Sequence, residues 1–291
     1  MTFFEKLGSV DRRWIFLFIA VAVTIPLLTG RSAPVIPSPI VQHLFDAIDA
    51  LPPGSRVLLS LDFGPSTVPE NLPMASAVAR HCLKKNLALY VITIWATGPP
   101  IINTLMNDVI RADFPDKVYG VDYVNLGYKV GNQGVIQALN TDFKGQYTMD
   151  AGLGKDLAPQ PTSRIAMMKP IGGLRDFQFI VPIGSGFPGV KEWVQFGGDV
   201  SGVDVGGGVT AVEAPLLYPY YPQQLSGLMG GLLGAAEYEA ALTQAYPEFG
   251  ESAKVALVRM FPQTVAHLVI VGFVVLGNIA FFAAKRRARK R

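Results

Sequence analysis

Residues 56–96 read RVLLSLDFGPSTVPENLPMASAVARHCLKKNLALYVITIWA, and the reading of this stretch decides the fold. RVLLSLDF (56–63) is a short apolar run bounded by turn residues, the pattern of a strand buried on both faces. LALYVITIWA (87–96) has the same character. Between them GPSTVPE opens a helix over about 70–85, with Thr67 and Glu70 spaced as a capping box. Strand, helix and strand in that order form the repeating unit of a parallel sheet.

The pattern continues outward in both directions. IVQHLFDAIDAL (40–51) carries apolar residues at helical spacing and is stopped by Pro52, Pro53 and Gly54. Downstream come a helix from about 99 to 113, a strand in YGVDYVNLGY (119–128) and a helix in VIQALNTDF (135–143). FQFIVPI (177–183) predicts a fourth strand, VKEWVQF (190–196) a helix, 203–213 a fifth strand and 222–245 a final helix. Regularity lapses between Lys144 and Asp176, a length that marks a functional loop, a lid or an overlooked element. The expectation is an α/β domain of three layers, Rossmann-like or flavodoxin-like, around a mostly parallel sheet.

Two apolar runs flank this domain. Residues 14–29, WIFLFIAVAVTIPLLT, are uncharged but near the short limit for a span, while residues 264–284 are comfortably long enough. Lys6, Arg12 and Arg13 precede the first run and Arg31 follows it. Lys285, Arg286, Arg287, Arg289, Lys290 and Arg291 follow the second, with Lys254 and Arg259 before it. Both asymmetries put both termini in the cytoplasm. The expected organisation is a cytoplasmic N-terminus (1–13), a first transmembrane helix (14–30), a Pro-rich linker (31–39), an extracytoplasmic α/β domain (40–263), a second transmembrane helix (264–284) and a basic cytoplasmic tail (285–291). The rival for the first run is a cleaved signal peptide, but TGRSAPV, with Arg31 and Pro34, makes a poor cleavage site.

The composition fits this division. The chain has 291 residues, 50% hydrophobic and only 16% charged, against about 25% charged in soluble proteins. Its net charge of +3 hides two opposite parts. Residues 1–30 and 264–291 hold nine Lys or Arg and two Asp or Glu, whereas 31–263 hold sixteen and twenty, a balance of −4. The basic charge sets topology, so no nucleic-acid partner is expected and the lipid bilayer is. Cys82 is alone and so forms no disulfide within the chain, and no N-x-S/T sequon occurs. The expected location is the inner membrane of a bacterium, with the domain in the periplasm.

In an open parallel sheet, ligands bind outside the carboxyl ends of the strands. Those ends supply Asp62, Ser66, Thr67, Thr97, Lys129, Ser185 and Gly186 as candidate ligand-binding residues for a small anion or polar metabolite. Every α/β domain also needs such residues simply to begin its helices. Gly184, Gly186 and Gly189 match G-x-G-x-x-G, and Asp204 falls twenty residues after Gly184. The late position and Pro188 weaken a dinucleotide reading. His43, His81 and His267 have no zinc-ligand spacing, so neither metal nor cofactor is expected. No catalytic motif is present; a Ser–His–acid triad leaves no local signature, so a hydrolase stays a distant alternative.

QQLSGLMGGLLGAAEYEAAL (223–242) is the unusual segment. Gly227 with Gly231 and Gly230 with Gly234 make two overlapping G-x-x-x-G pairs, which let a second helix approach. Tyr220 and Tyr221 precede it, and Asn278 in the second span suits an interhelical hydrogen bond. These seven residues are the candidate interface to a second copy or to other membrane proteins; packing of the segment on its own sheet is the competing explanation.

LLSLDFGPSTVPENLPMASAVARHCLKKN, VKEWVQFGGD, TAVEAPLLYPYYPQQLSGLMGGLLGAAEYEA and AHLVIVGFVVLGNIAFF together resemble an uncharacterised bacterial membrane-protein family with two spans and one outer α/β domain. The resemblance covers most of the chain and implies no activity. Two functions follow as expectations: a non-enzymatic structural subunit of an envelope complex, or a module that captures a small ligand at the strand-end rim.

Overall fold

The computed structural model describes residues 11–30, 32 and 34–288. The expectations for residues 1–10, for Arg31 and Ala33 of the linker and for the last three residues of the basic tail lie outside the described residues. The chain divides into two compact units, Val35–Ala256 and the pair of flanking segments Met1–Pro34 and Leu257–Arg291.

The elements run α1 (Arg12–Thr29), α2 (Pro39–Asp49), β1 (Arg56–Asp62), α3 (Val68–Lys84) and β2 (Ala88–Thr93). Then comes α4, which starts as Pro99–Thr104, passes through a π-turn at Leu105–Ile110 and ends as Arg111–Asp113. β3 (Tyr123–Tyr128), α5 (Gln133–Leu139) and β4 (Phe179–Gly184) follow. Next is α6, Val190–Glu192 continued through a π-turn (Trp193–Gly198) to Asp199–Ser201. The chain ends with β5 (Asp204–Val205), β6 (Gly207–Val209), β7 (Leu228–Gly230), α7 (Gly231–Ala245) and α8 (Val255–Ala288).

The seven strands form one sheet in the order β3-β2-β1-β4-β6-β7, with β5 also beside β4, and every pairing among them is parallel. The chain builds outward from β1 to β3 and then crosses back to lay β4 on the other side of β1. That order selects the Rossmann-like arrangement over the flavodoxin-like one. β1 and β4 are central, and apart from half-buried Arg56 at the start of β1, every residue in them is buried. This explains why they read as continuous apolar runs rather than alternating ones.

α2, α3 and α7 pack together on one face, and α4 joins α3 there. α5 and α6 cover the other face. On that second face the irregular stretch 144–176 supplies the rest of the layer. It is made of short helical turns at Phe143–Gln146, Thr162–Arg164, Ala166–Met168 and Leu174–Asp176. Its Tyr147, Ile165, Met168, Ile171 and Leu174 are buried in the core, and the Tyr90 hydroxyl donates to the Met167 carbonyl. This crossover is a packed layer that lacks helical periodicity because it turns too often.

Three sequence expectations are corrected. The strand expected within 203–213 is broken into β5 and β6 at Gly206, where any Cβ would run into Leu44 and Phe179. The helix expected over 222–245 begins only at Gly231, because Leu228–Gly230 pair with Gly207–Val209 as a sheet strand. A short apolar run is ambiguous between the two states, and sheet pairing decided it. The Thr67–Glu70 capping box does not form. Thr67 Oγ1 donates to the Gly64 carbonyl at 3.2 Å, while Glu70 accepts the Ala211 N–H at 3.0 Å. The compact unit that holds the sheet runs to Ala256, and α8 starts at Val255.

In the flanking unit, Val255–Phe282 is the one stretch among the described residues long and apolar enough to cross a membrane. The apolar helix Arg13–Thr29 is shorter and ends at Gly30, which takes the left-handed φ of 60° that favours glycine as a helix stop. Phe18 meets Phe273 of α8 edge-on, with ring centroids 5.8 Å apart. Asn278 donates to the Val274 carbonyl of its own helix at 2.8 Å.

Candidate functional site

The crevice between the carboxyl ends of β1 and β4 is where this topology places a ligand. Asp62 ends β1 and is fully buried. Its Oδ1 accepts the Ile94 N–H at 2.9 Å, and its Oδ2 accepts the Ser60 hydroxyl and the Trp193 indole N–H, both at 2.7 Å. Burial pushes its carboxyl up to about 6, against the three donors that pull it down. The side chain thus ties β1 to the residue after β2 and to α6.

Trp95, just after β2, reaches across the rim to the loop that follows β4. Its indole N–H donates to the Pro188 carbonyl at 2.7 Å, and its ring lies 3.4 Å from where a Cβ on Gly186 would stand. Thr97 lies similarly close to Gly64, at 3.5 Å. Ser66 and Thr97 are exposed, and Thr67, Ser185 and Gly186 are half-buried. Lys129 stands apart at the end of β3, donating to the Gln146 carbonyl at 2.7 Å. Trp95 covers the crevice, and the sequence reading did not single it out.

The glycine motif does not build a phosphate site. Gly184, Gly186 and Gly189 do join β4 to α6, and Gly184 lets the start of α6 approach, since a Cβ there would be 3.2 Å from Gly189 Cα. But the Glu192 carboxylate turns back onto the Gly189 N–H at 2.8 Å and takes the place of an incoming anion. Asp204 pairs with Phe179, the first residue of β4, and so sits at the amino end of the sheet, away from the motif. The dinucleotide reading falls on both counts.

Beside this loop lies an open cleft of about 210 Å³ at the carboxyl ends of β4 and β6. Phe187, Val190, Val209, Leu216 and Leu217 make its apolar walls, with Lys191, Glu192, Glu213 and Gly186 completing it. Of the sequence candidates only Gly186 reaches it. Burial and the neighbouring Glu192 charge push the Glu213 carboxyl above its usual range, while the Thr210 hydroxyl pulls it down. Around the mouth, Phe187 is 62% exposed and Leu216 70%, with Val212 (84%) and Tyr218 (52%) on the same segment as Leu216. The signal for these residues was faint, because Glu192 and Glu213 come from unrelated segments that meet only through the β4–β6 pairing.

The glycine-rich segment is turned inward. A Cβ on Gly227 would lie 2.5 Å from the Ile40 carbonyl oxygen and the Leu44 nitrogen of α2. Gly230 faces Ala214 at 2.9 Å, Gly231 faces Ala211 at 2.7 Å with a φ of +62°, and Gly234 faces the Met229 backbone at 2.8 Å. Gly227 and Gly230 precede the helix, so neither G-x-x-x-G pair lies on one helix face. Tyr220 accepts from Gln195 at 3.0 Å, and Tyr221 bonds His43. These glycines are contacts within the domain, and the helix-interface expectation gives way to packing on its own sheet and on α2.

At the far side, His81 is buried between Tyr238 (2.7 Å from Nδ1) and Asp49 (3.1 Å from Nε2), and stacks on Phe45 at 4.4 Å. A neutral ring that accepts the Tyr238 hydroxyl and donates to Asp49 satisfies all three groups. Burial holds this imidazole down at about 4. Among the described residues no group of three His, Cys, Asp or Glu side chains could hold a metal ion.

No family model matches the chain, and no curated protein matches it. Among solved structures, a trehalose-6-phosphate synthase, OtsA, is similar with a TM-score of 0.28 and 10% identity, over 89% of this chain and 48% of that one. This chain therefore spans about half the length of that protein, and a likeness at that level carries no inference about activity.

Proposed function

We propose that this chain is a non-enzymatic, membrane-anchored assembly subunit of a bacterial envelope complex. In this reading α8, and α1 with it, hold the chain in the cytoplasmic membrane with both termini inside, and the α/β domain docks a partner outside. The orientation is supported by the Lys and Arg asymmetry around both apolar runs, and the bacterial setting by the family resemblance. The observation that carries the docking role is the pair of exposed apolar side chains lining the cleft, Phe187 and Leu216, with exposed Val212 and Tyr218 on the same segment as Leu216. Large apolar side chains grouped around a cleft mark interaction sites. The polar groups of the crevice, by contrast, are engaged within the domain, Asp62 and Lys129 above all.

Mass measurement after gentle detergent extraction tests the proposal. A defined complex larger than the protomer supports it, with loss of that complex in Leu216→Glu. A monomer that copurifies with nothing refutes it. A second reading, a small-ligand sensing module, is favoured by the cleft itself, although two carboxylates there suit a cation rather than the anion first expected. That module would gain thermal stability from its ligand.

A further inference from the structure

Glu192 and Glu213 come from different segments and line one cleft with otherwise largely apolar walls. Glu192 is only 8% exposed. Its Oε2 holds the Gly189 N–H, while Oε1 takes no hydrogen bond from the described residues and is open to the solvent of the cleft. A carboxylate oxygen that loses its water on docking without gaining a partner is costly, and a cation brought to it offsets that cost. Glu213 adds a second negative charge and has only a long bond, 3.3 Å, from the Thr210 hydroxyl. Lys191 also lines the cleft but is exposed, so the lining keeps a net negative charge. The apolar groove between α1 and α8 and the polar pocket beside Lys84 and Glu248 offer less: nothing shows what covers the first, and Lys84 and Glu248 already pair with each other.

We propose that the docked partner is a second protein that inserts a basic side chain, flanked by apolar residues, into this cleft. The inference rests on the docking reading. The cationic head meets Glu192 and Glu213, its hydrocarbon stem lies on Val190 and Val209, and the flanking residues cover Phe187 and Leu216. A purely apolar side chain would seal Glu192 away from water unpaired, and an acidic one would add a third negative charge. Charge complementarity therefore selects the basic segment.

The test uses the full chain in detergent, with two readouts. The first is complex mass for wild type, Leu216→Ser, Glu213→Gln and Glu213→Asp. Loss of the complex in Leu216→Ser and Glu213→Gln, with recovery in Glu213→Asp and weakening by salt, is the expected result. Persistence in Leu216→Ser means the docking reading itself has failed. Loss in Leu216→Ser with an unchanged complex in Glu213→Gln leaves docking standing and overturns the basic side chain. A complex made only of copies of this chain overturns the second protein. The second readout is titration with the capped tripeptide acetyl-Leu-Lys-Leu-amide. Saturable binding should weaken about tenfold in Glu213→Gln, or when norleucine replaces the lysine; equal binding by both peptides overturns the proposal.

Discussion

Replacing Asp62 by Asn probes the buried centre of the sheet. The carboxylate accepts from Ile94, Ser60 and Trp193 and is fully buried. An amide that keeps its oxygen toward Ile94 turns its NH₂ toward two donors. Ser60 can rotate its hydroxyl to accept, but the Trp193 N–H cannot, and an unpaired buried donor costs about 1–3 kcal/mol. The pH dependence is more diagnostic than the size. The Asp62 carboxyl rises from 3.8 to about 6 in the folded state, so the folded protein holds the proton more tightly than the unfolded chain. Its stabilisation is fully present below the unfolded value of 3.8 and is lost as pH rises through about 6. The whole effect is on the order of 3 kcal/mol, of which about 2 falls between pH 4.5 and 7.5. Urea unfolding of the full chain in detergent, followed by tryptophan fluorescence across that range, measures it. The stability difference between wild type and Asp62→Asn should shrink by about 2 kcal/mol as pH rises. A difference constant with pH would refute the assignment of this titration to Asp62.

His81→Gln should change the profile in the opposite sense. Burial holds the folded imidazole at about 4 against 6.5 unfolded, so its contribution is present above 6.5 and lost as pH falls toward 4. The variant should therefore lose acid sensitivity worth on the order of 3 kcal/mol, seen in the same unfolding series. Gly227→Ala forces α2 to move, because both atoms it meets at 2.5 Å are backbone. We expect a loss of about 1–3 kcal/mol and a Tm lowered by roughly 3–10 °C, with complex mass unchanged. A changed mass with unchanged Tm would restore the helix-interface reading. Val212→Asp, on the exposed rim, should leave Tm within about a degree and weaken partner retention on a detergent column.

The sheet was legible because its central strands obey a simple rule. Residues 57–62 and 89–93 are buried on both faces and so are apolar without interruption apart from Ser60, Asp62 and Thr93, whose side chains are all hydrogen-bonded internally. Edge elements were read less well. Leu228–Gly230 resembles a helix until its partner Gly207–Val209 is known. The layer at 144–176 has no period to detect, since it buries single residues from successive turns. The candidate site shows the same limit. Chemistry confined to one strand end, such as Asp62, was found, although its role is internal. The Glu192–Glu213 cleft was missed because its residues become neighbours only through long-range pairing. The glycines of 227–234 misled because spacing alone does not say which surface fills the space they leave.

The central claim, that the carboxyl-end rim of the α/β domain docks a partner, is tested most directly by site-specific photocrosslinking in native membranes. A benzophenone side chain at Leu216 is compared with one at Val118, exposed near the amino end of the sheet. The account predicts one discrete adduct from Leu216 that disappears in Glu213→Gln, and none from Val118. No adduct from Leu216, or the same adducts from both positions, would contradict it.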